Sequence, residues 1–161
     1  MNTSQTISRR GILAGFAAAP IAAFCIPVAA QELPRMTVTK DPSCRCCGAW
    51  VDHIRAAGFP VEVVESPEVN HLKVRLGVPR NLASCHTAEV GGYVIEGHVP
   101  ADAIKRIRSE KPQAKGLAVP GMPVGSPGME VVGVEDDVYD VVLFGPGAER
   151  VLARYRGASL V

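Results

Sequence analysis

Apolar and polar positions alternate over Met36-Thr37-Val38-Thr39-Lys40, a period-two pattern that predicts a strand. Asp41-Pro42-Ser43 then supplies turn chemistry. From there the period lengthens. Cys47, Trp50, Val51 and Ile54 fall at i, i+3, i+4 and i+7, one face of a helix that Gly58 and Pro60 bring to an end. Val61, Val63 and Val64 mark a second strand over residues 60–65. Ser66-Pro67-Glu68 reads as a helix start, with Ser66 as N-cap and Pro67 at the first helical position. Val69, Leu72 and Leu76 supply that helix's inward face, and Gly77 and Pro79 stop it. Residues 87–90 and 93–99 predict a hairpin around Gly91-Gly92. A third helix opens at Pro100, turns Ala103, Ile104 and Ile107 inward and closes at Lys111-Pro112. Residues 112–130 lose all periodicity and intersperse prolines with glycines, so they read as one long loop, carrying Met122 and Met129. Residues 138–144 and 151–155, on either side of Gly145-Pro146-Gly147, predict a closing pair of strands.

The order strand, Cys-rich helix start, strand, helix, hairpin, helix is the thioredoxin topology. The expected fold is therefore α/β and thioredoxin-like: a central mixed sheet flanked by helices, with a Pro/Gly/Met loop and a C-terminal strand pair.

The first thirty residues have a different character. Arg9-Arg10 precede an uncharged, alanine-rich apolar run that ends at the small residues Val28-Ala29-Ala30, the layout of a secretory signal cleaved before Gln31. The string Ser8-Arg9-Arg10-Gly11-Ile12-Leu13 resembles a twin-arginine signal. The alternatives are a retained anchor, which the cleavage site argues against, and an ordinary secretory signal with coincidental arginines. Phe24 is too bulky before Cys25 for a lipoprotein signal. The expectation is a signal over residues 1–30, a single domain over 31–161, and a periplasmic protein with no membrane attachment once the signal is cut. Removing Arg9 and Arg10 leaves 15 basic against 16 acidic residues. With no basic stripe, nucleic acid is excluded as an expected partner.

Cleavage also removes Cys25, leaving Cys44, Cys46, Cys47 and Cys85. Two disulfides are the default for four cysteines in an oxidising compartment. Cys46 and Cys47 are adjacent, however, and a disulfide between neighbours strains the backbone. Cys44–Cys47 is a feasible C-x-x-C pair, but Cys46 then needs Cys85 from the same crowded site. Four sulfurs in one place look more like a ligand set than two staples. Sulfur at a helix start is acidified by free backbone N–H groups and the helix dipole, and Arg45 adds positive charge; both favour redox and metal chemistry alike. The third cysteine separates the two, because a dithiol oxidoreductase has no use for Cys46 while a soft ion such as Cu(I) takes several bridging thiolates. In the thioredoxin layout Cys85 falls on the loop facing the Cys-rich helix start, and His86 stands ready to add an imidazole. Met122 and Met129 are soft thioether donors, or else cover a core edge. His53, off the apolar helix face, His71 on a polar face and His98 near a strand end read as surface residues, and Trp50 as core. A structural disulfide set or a structural zinc site is the plainer account of the cysteines.

Several separated strings resemble the CopG-type copper-resistance family. They are Cys44-x-Cys46-Cys47-Gly48-x-Trp50-Val51-x-His53, Leu76-Gly77-Val78-Pro79, residues 82–87, residues 91–102 and residues 116–130 with Met122 and Met129. The resemblance spans nearly all of residues 31–161. It implies a thioredoxin-like fold, export, and copper handling beside efflux systems. It also implies copper held by Cys44, Cys46, Cys47 and Cys85, in a cysteine-bridged cluster able to interconvert Cu(I) and Cu(II). Family members often have glycine between the first two cysteines, where this chain has Arg45. The competing enzyme reading is a thiol–disulfide oxidoreductase using Cys44 and Cys47.

Overall fold

The computed structural model describes Met1 and residues 32–147 and 149–161. The expected signal, its expected cleavage site and Cys25 lie outside the described residues. Strand β1 (Met36–Lys40) is followed by α1 (Arg45–Ala56), β2 (Val61–Glu65), α2 (Val69–Arg75), a 3₁₀ turn (Arg80–Leu82), the hairpin β3 (His86–Val90) and β4 (Tyr93–Glu96), and α3 (Ala101–Glu110). Strands β5 (Gly116–Ala118), β6 (Val138–Phe144), β7 (Arg150–Arg156) and β8 (Ser159–Leu160) complete the chain. The eight strands of the described residues form one mixed sheet in the order β2-β1-β3-β4-β5-β6-β7-β8. The β1–β2 and β4–β5 pairs are parallel and the others antiparallel. The expected mixed α/β class and central mixed sheet are present.

The central strands β4, β5 and β6 are covered on both faces, and strand alternation sorts their side chains between them. Ile95, Leu117 and Leu143 join the larger core, with Trp50, Val51 and Ile54 of α1 and Ala103, Ile104 and Ile107 of α3. Their neighbours Val94, Ala118 and Phe144 face the other way, into a smaller core with Val78, Leu82 and Leu76. Cys47, Trp50, Val51 and Ile54 are buried together on α1, the face the periodicity predicts. Helix α1 gives out at Gly58, whose φ of 95° is a left-handed conformation that favours glycine.

Three elements depart from expectation. Residues 116–118, placed by the sequence inside a loop, are a buried strand between β4 and β6. Gly-Leu-Ala carries no β-branched signal, and Gly116 is required because a Cβ there would run into the backbone of Val94. The closing strand pair is extended by a third strand, β8. Helix α2 begins at Val69, and Ser66 stands outside it, its hydroxyl accepting from the backbone N–H of Glu68 at 3.1 Å. Val69 is buried as expected, but the second buried position of α2 is Lys73, while Leu72 and the C-cap Leu76 are half-buried. Among the described residues, no helix is long and apolar enough to cross a membrane.

Candidate metal centre

The register of the sheet assembles the centre. Lys40, the last residue of β1, pairs with His86, the first of β3, so the chain leaving β1 for α1 passes beside Cys85. The hairpin pairs Thr87 with Glu96, and the Gly97 N–H donates to the His86 carbonyl at 3.0 Å. Continuing that antiparallel count sets Cys85 opposite His98. The turn into α1 is shaped by Asp41. Its carboxylate accepts from the backbone N–H of Ser43 at 2.8 Å and from the Ser43 hydroxyl at 2.5 Å. These two bonds hold the Asp41 carboxyl below the usual carboxylate range. Cys44 becomes the N-cap of α1, and Cys46 and Cys47 stand in its first turn.

The four sulfurs of Cys44, Cys46, Cys47 and Cys85 lie within 4.8 Å of one another. Cys44 and Cys47 are joined as a disulfide across one helical turn, with Cα atoms 5.5 Å apart, while Cys46 and Cys85 are free. The convergence is the expected one; the oxidation state of the first pair is not that of a four-thiolate set. Cys46 Sγ lies 3.6 Å from Cys44 Sγ. Arg45 is exposed.

A second group shares Cys85. Its sulfur lies 3.1 Å from His98 Nε2 and 3.2 Å from His86 Nδ1. His98 Nδ1 faces the Pro127 carbonyl at 2.8 Å, and a carbonyl only accepts, so Nδ1 carries the proton and Nε2 presents its lone pair to Cys85. A backbone carbonyl fixing one ring nitrogen while the other faces a soft atom is the usual outer support of a ligating histidine. His86 is fully buried between Trp50, 4.3 Å away between ring centroids, and His98, 5.1 Å away. His86 Nε2 has no hydrogen-bond partner. Burial pushes the Cys85 thiol up to about 12, with the nearby Cys46 adding to the effect, so a metal entering here displaces a proton. Thiolate and imidazole are soft and borderline donors suited to Cu(I) or zinc.

The Pro/Gly/Met loop is bound to this centre. Pro127 fixes His98, the Ser84 hydroxyl donates to the Gly121 carbonyl, and a Cβ at Gly128 would come within 2.6 Å of the Trp50 backbone nitrogen. Met129 follows and is half-buried. Met122 is 53% exposed and lines an open cleft with Pro120, Pro123 and Tyr139.

Two histidines differ from expectation. His98 is a buried neighbour of Cys85 rather than a surface residue. Its signal was available: a two-residue turn at Gly91-Gly92 pairs Val90 with Tyr93, and counting outward reaches Cys85 opposite His98. His53 is half-buried, and its Nε2 accepts the first backbone N–H of α3, from Ala101, at 3.1 Å. His71 is on the surface as expected, paired with Glu68.

Burial lowers the pKa of His53, His86 and His98 from 6.5. The folded state then resists imidazolium more than the unfolded chain does. Stability is full above the unfolded value and is lost as pH falls below 6.5 towards the lowered folded values. Urea midpoints of metal-free protein are expected to fall between about pH 7.5 and about pH 5, with His86, the most strongly lowered of the three, contributing most. A flat profile over that range contradicts the neutral, buried assignment.

A family described as "Protein of unknown function, DUF411" matches residues 82–129, the stretch holding Cys85, His86, His98, Met122 and Met129. Among curated proteins nothing matches. A solved structure of copper resistance protein CopG, form 2, is 45% identical, covers 77% of this chain and 99% of its own, and superposes with a TM-score of 0.73. Form 1 of the same protein gives 45% identity, 78% and 100% coverage, and a TM-score of 0.73. At that identity over the whole length of the solved chains, this protein belongs to the CopG family of copper-resistance proteins.

Proposed function

We propose that this chain is an exported, periplasmic copper-binding protein of copper resistance that holds Cu(I) through Cys44, Cys46, Cys47 and Cys85. The observation that carries the reading is the convergence of four sulfurs from a helix start and a facing strand end. Adjoining imidazoles at His86 and His98 supply further donors. Bound copper supplies a soft Lewis acid able to carry one electron per ion. Export and cleavage near Ala30 rest on the sequence of the first thirty residues.

The disulfide sets a condition. Cys44 and Cys47 would donate only after a two-electron reduction by an external thiol has opened their bond to a dithiol, whose two protons are then lost on metal binding. As a dithiol the same pair would hold the two electrons needed to reduce two Cu(II) ions, releasing two protons as the disulfide re-forms, and an external thiol reductant would be needed to open it again. Four thiols this close would be able to hold more than one Cu(I) ion. Met129 stands on the loop bound to the centre and Met122 on its exposed side, as soft donors during entry. Copper efflux proteins are the expected exchange partners. The order β2-β1-β3-β4 beside a C-x-x-C helix start supports the thioredoxin-like reading of the first half.

Titration of reduced protein with Cu(I) under anaerobic conditions, against a chromophoric chelator, tests this. At least one tightly held copper per chain is expected after reduction, and markedly weaker uptake while Cys44–Cys47 is intact. Uptake below one copper per chain by fully reduced protein contradicts the proposal. The disulfide itself favours one second reading, thiol–disulfide exchange by Cys44 and Cys47. That reading predicts exchange that survives Cys46→Ser and Cys85→Ser.

A further inference from the structure

Behind Cys85 lies a closed polar network that the copper ligands do not use. Lys73 of α2 is buried, and its Nζ donates to Glu96 Oε1 at 2.7 Å and to Thr87 Oγ1 at 2.8 Å. The Thr87 hydroxyl donates in turn to Glu96 Oε2 at 2.7 Å. Glu96 Oε1 also accepts the backbone N–H of Ser84 at 2.6 Å. Glu96, fully buried, thus receives three hydrogen bonds, and the triangle Lys73–Thr87–Glu96 closes on itself.

Stability alone is a poor reason for such a pair. Burying two charges costs several kcal/mol of hydration, and apolar replacements of similar volume are often neutral or better. The placement supplies another reason. Ser84 immediately precedes Cys85 and Thr87 immediately follows His86. The network therefore grips both ends of the two-residue segment that brings a sulfur and an imidazole to the centre. Glu96 is the last residue of β4, two residues before His98. All three residues facing the centre from this side are tied to one carboxylate.

We propose that Lys73, Thr87 and Glu96 are positioning residues that hold Cys85, His86 and His98 in register with Cys46 at the start of α1. The proposal rests on the copper reading for its purpose, and its geometry can be tested without copper. Phenylarsine oxide is captured tightly only by two neighbouring thiols, and with Cys44–Cys47 intact the two free ones among the described residues are Cys46 and Cys85. Wild-type protein is expected to be bridged at these residues, as read by peptide mass mapping. Thr87→Val keeps the shape and removes the hydroxyl. It is expected to weaken arsenical capture and Cu(I) binding together by about 10–100-fold, the usual consequence of losing an outer partner of a ligand. Thr87→Ser restores the hydroxyl and should restore both. The double variant Lys73→Met/Glu96→Met, which replaces the ion pair with apolar chains, should fold, as shown by circular dichroism, and show the same paired loss.

Wild-type capture and Cu(I) affinity in a folded Thr87→Val or double variant overturn the proposal. So does loss in Thr87→Ser equal to that in Thr87→Val, or failure of wild-type protein to be bridged. If capture falls as expected while no protein, wild type included, binds Cu(I), positioning stands and the copper reading falls.

Discussion

Cys85→Ser is expected to lower Cu(I) affinity by at least about 100-fold in the reduced protein, more than loss of any outer partner. The reason is its shared position: its sulfur belongs both to the four-cysteine group and to the group with His86 and His98. A serine hydroxyl is a hard, weak donor to Cu(I) and cannot bridge two ions as a thiolate does. The loss is confined to metal binding. Cys85 is partly exposed and outside the apolar core, so the melting temperature of the metal-free protein should hardly move. Cys46→Ser is the informative companion. A four-thiolate centre loses copper or a cluster member with it, whereas a two-cysteine exchange site at Cys44 and Cys47 does not register the change. Competition titrations on both variants, with thiol exchange measured in parallel, separate the two readings. Unaltered copper affinity in Cys85→Ser contradicts the site as built.

The second large effect is on stability. Gly128→Ala is expected to cost about 3 kcal/mol, combining strain at a left-handed residue with overpacking against backbone. Gly128 has φ of 84°, and an added Cβ would meet the Trp50 nitrogen at 2.6 Å and the Cys46 carbonyl at 3.0 Å. Neither is a flexible chain end that could swing away, so the loop must lift from α1. Pro127, the fixed point of His98, lifts with it. The expected signature is a lower urea midpoint together with weaker Cu(I) binding. Gly121→Ala is the contrasting case, since that glycine shares the left-handed conformation but has open space around it. A Gly128→Ala protein as stable as wild type would show that the loop is not seated on the helix.

The legible parts of this chain are those where one period runs uninterrupted. The α1 face of Cys47, Trp50, Val51 and Ile54 and the α3 face of Ala103, Ile104 and Ile107 follow directly from spacing. Strand β5 was hidden because parallel pairing with β4 demands close approach at Gly116, not a side-chain pattern. Lys73 was hidden because a lysine on a helix reads as solvated unless its partners, Thr87 and Glu96, are known, and they lie far along the chain. In the centre, the three cysteines of α1 were legible from crowding and Cys85 from topology. His98 required counting the hairpin register outward from Gly91-Gly92, and the Cys44–Cys47 bond is a state of the sulfurs that spacing permits without dictating.

X-ray absorption at the copper edge, on reduced protein reconstituted with Cu(I) and with copper per chain counted on the same sample, tests the central claim most directly. Sulfur-dominated Cu(I) coordination with at least one copper per chain, and a copper–copper contribution where the count exceeds one, is the predicted result. Coordination dominated by nitrogen and oxygen, or copper that washes away from fully reduced protein, would contradict it.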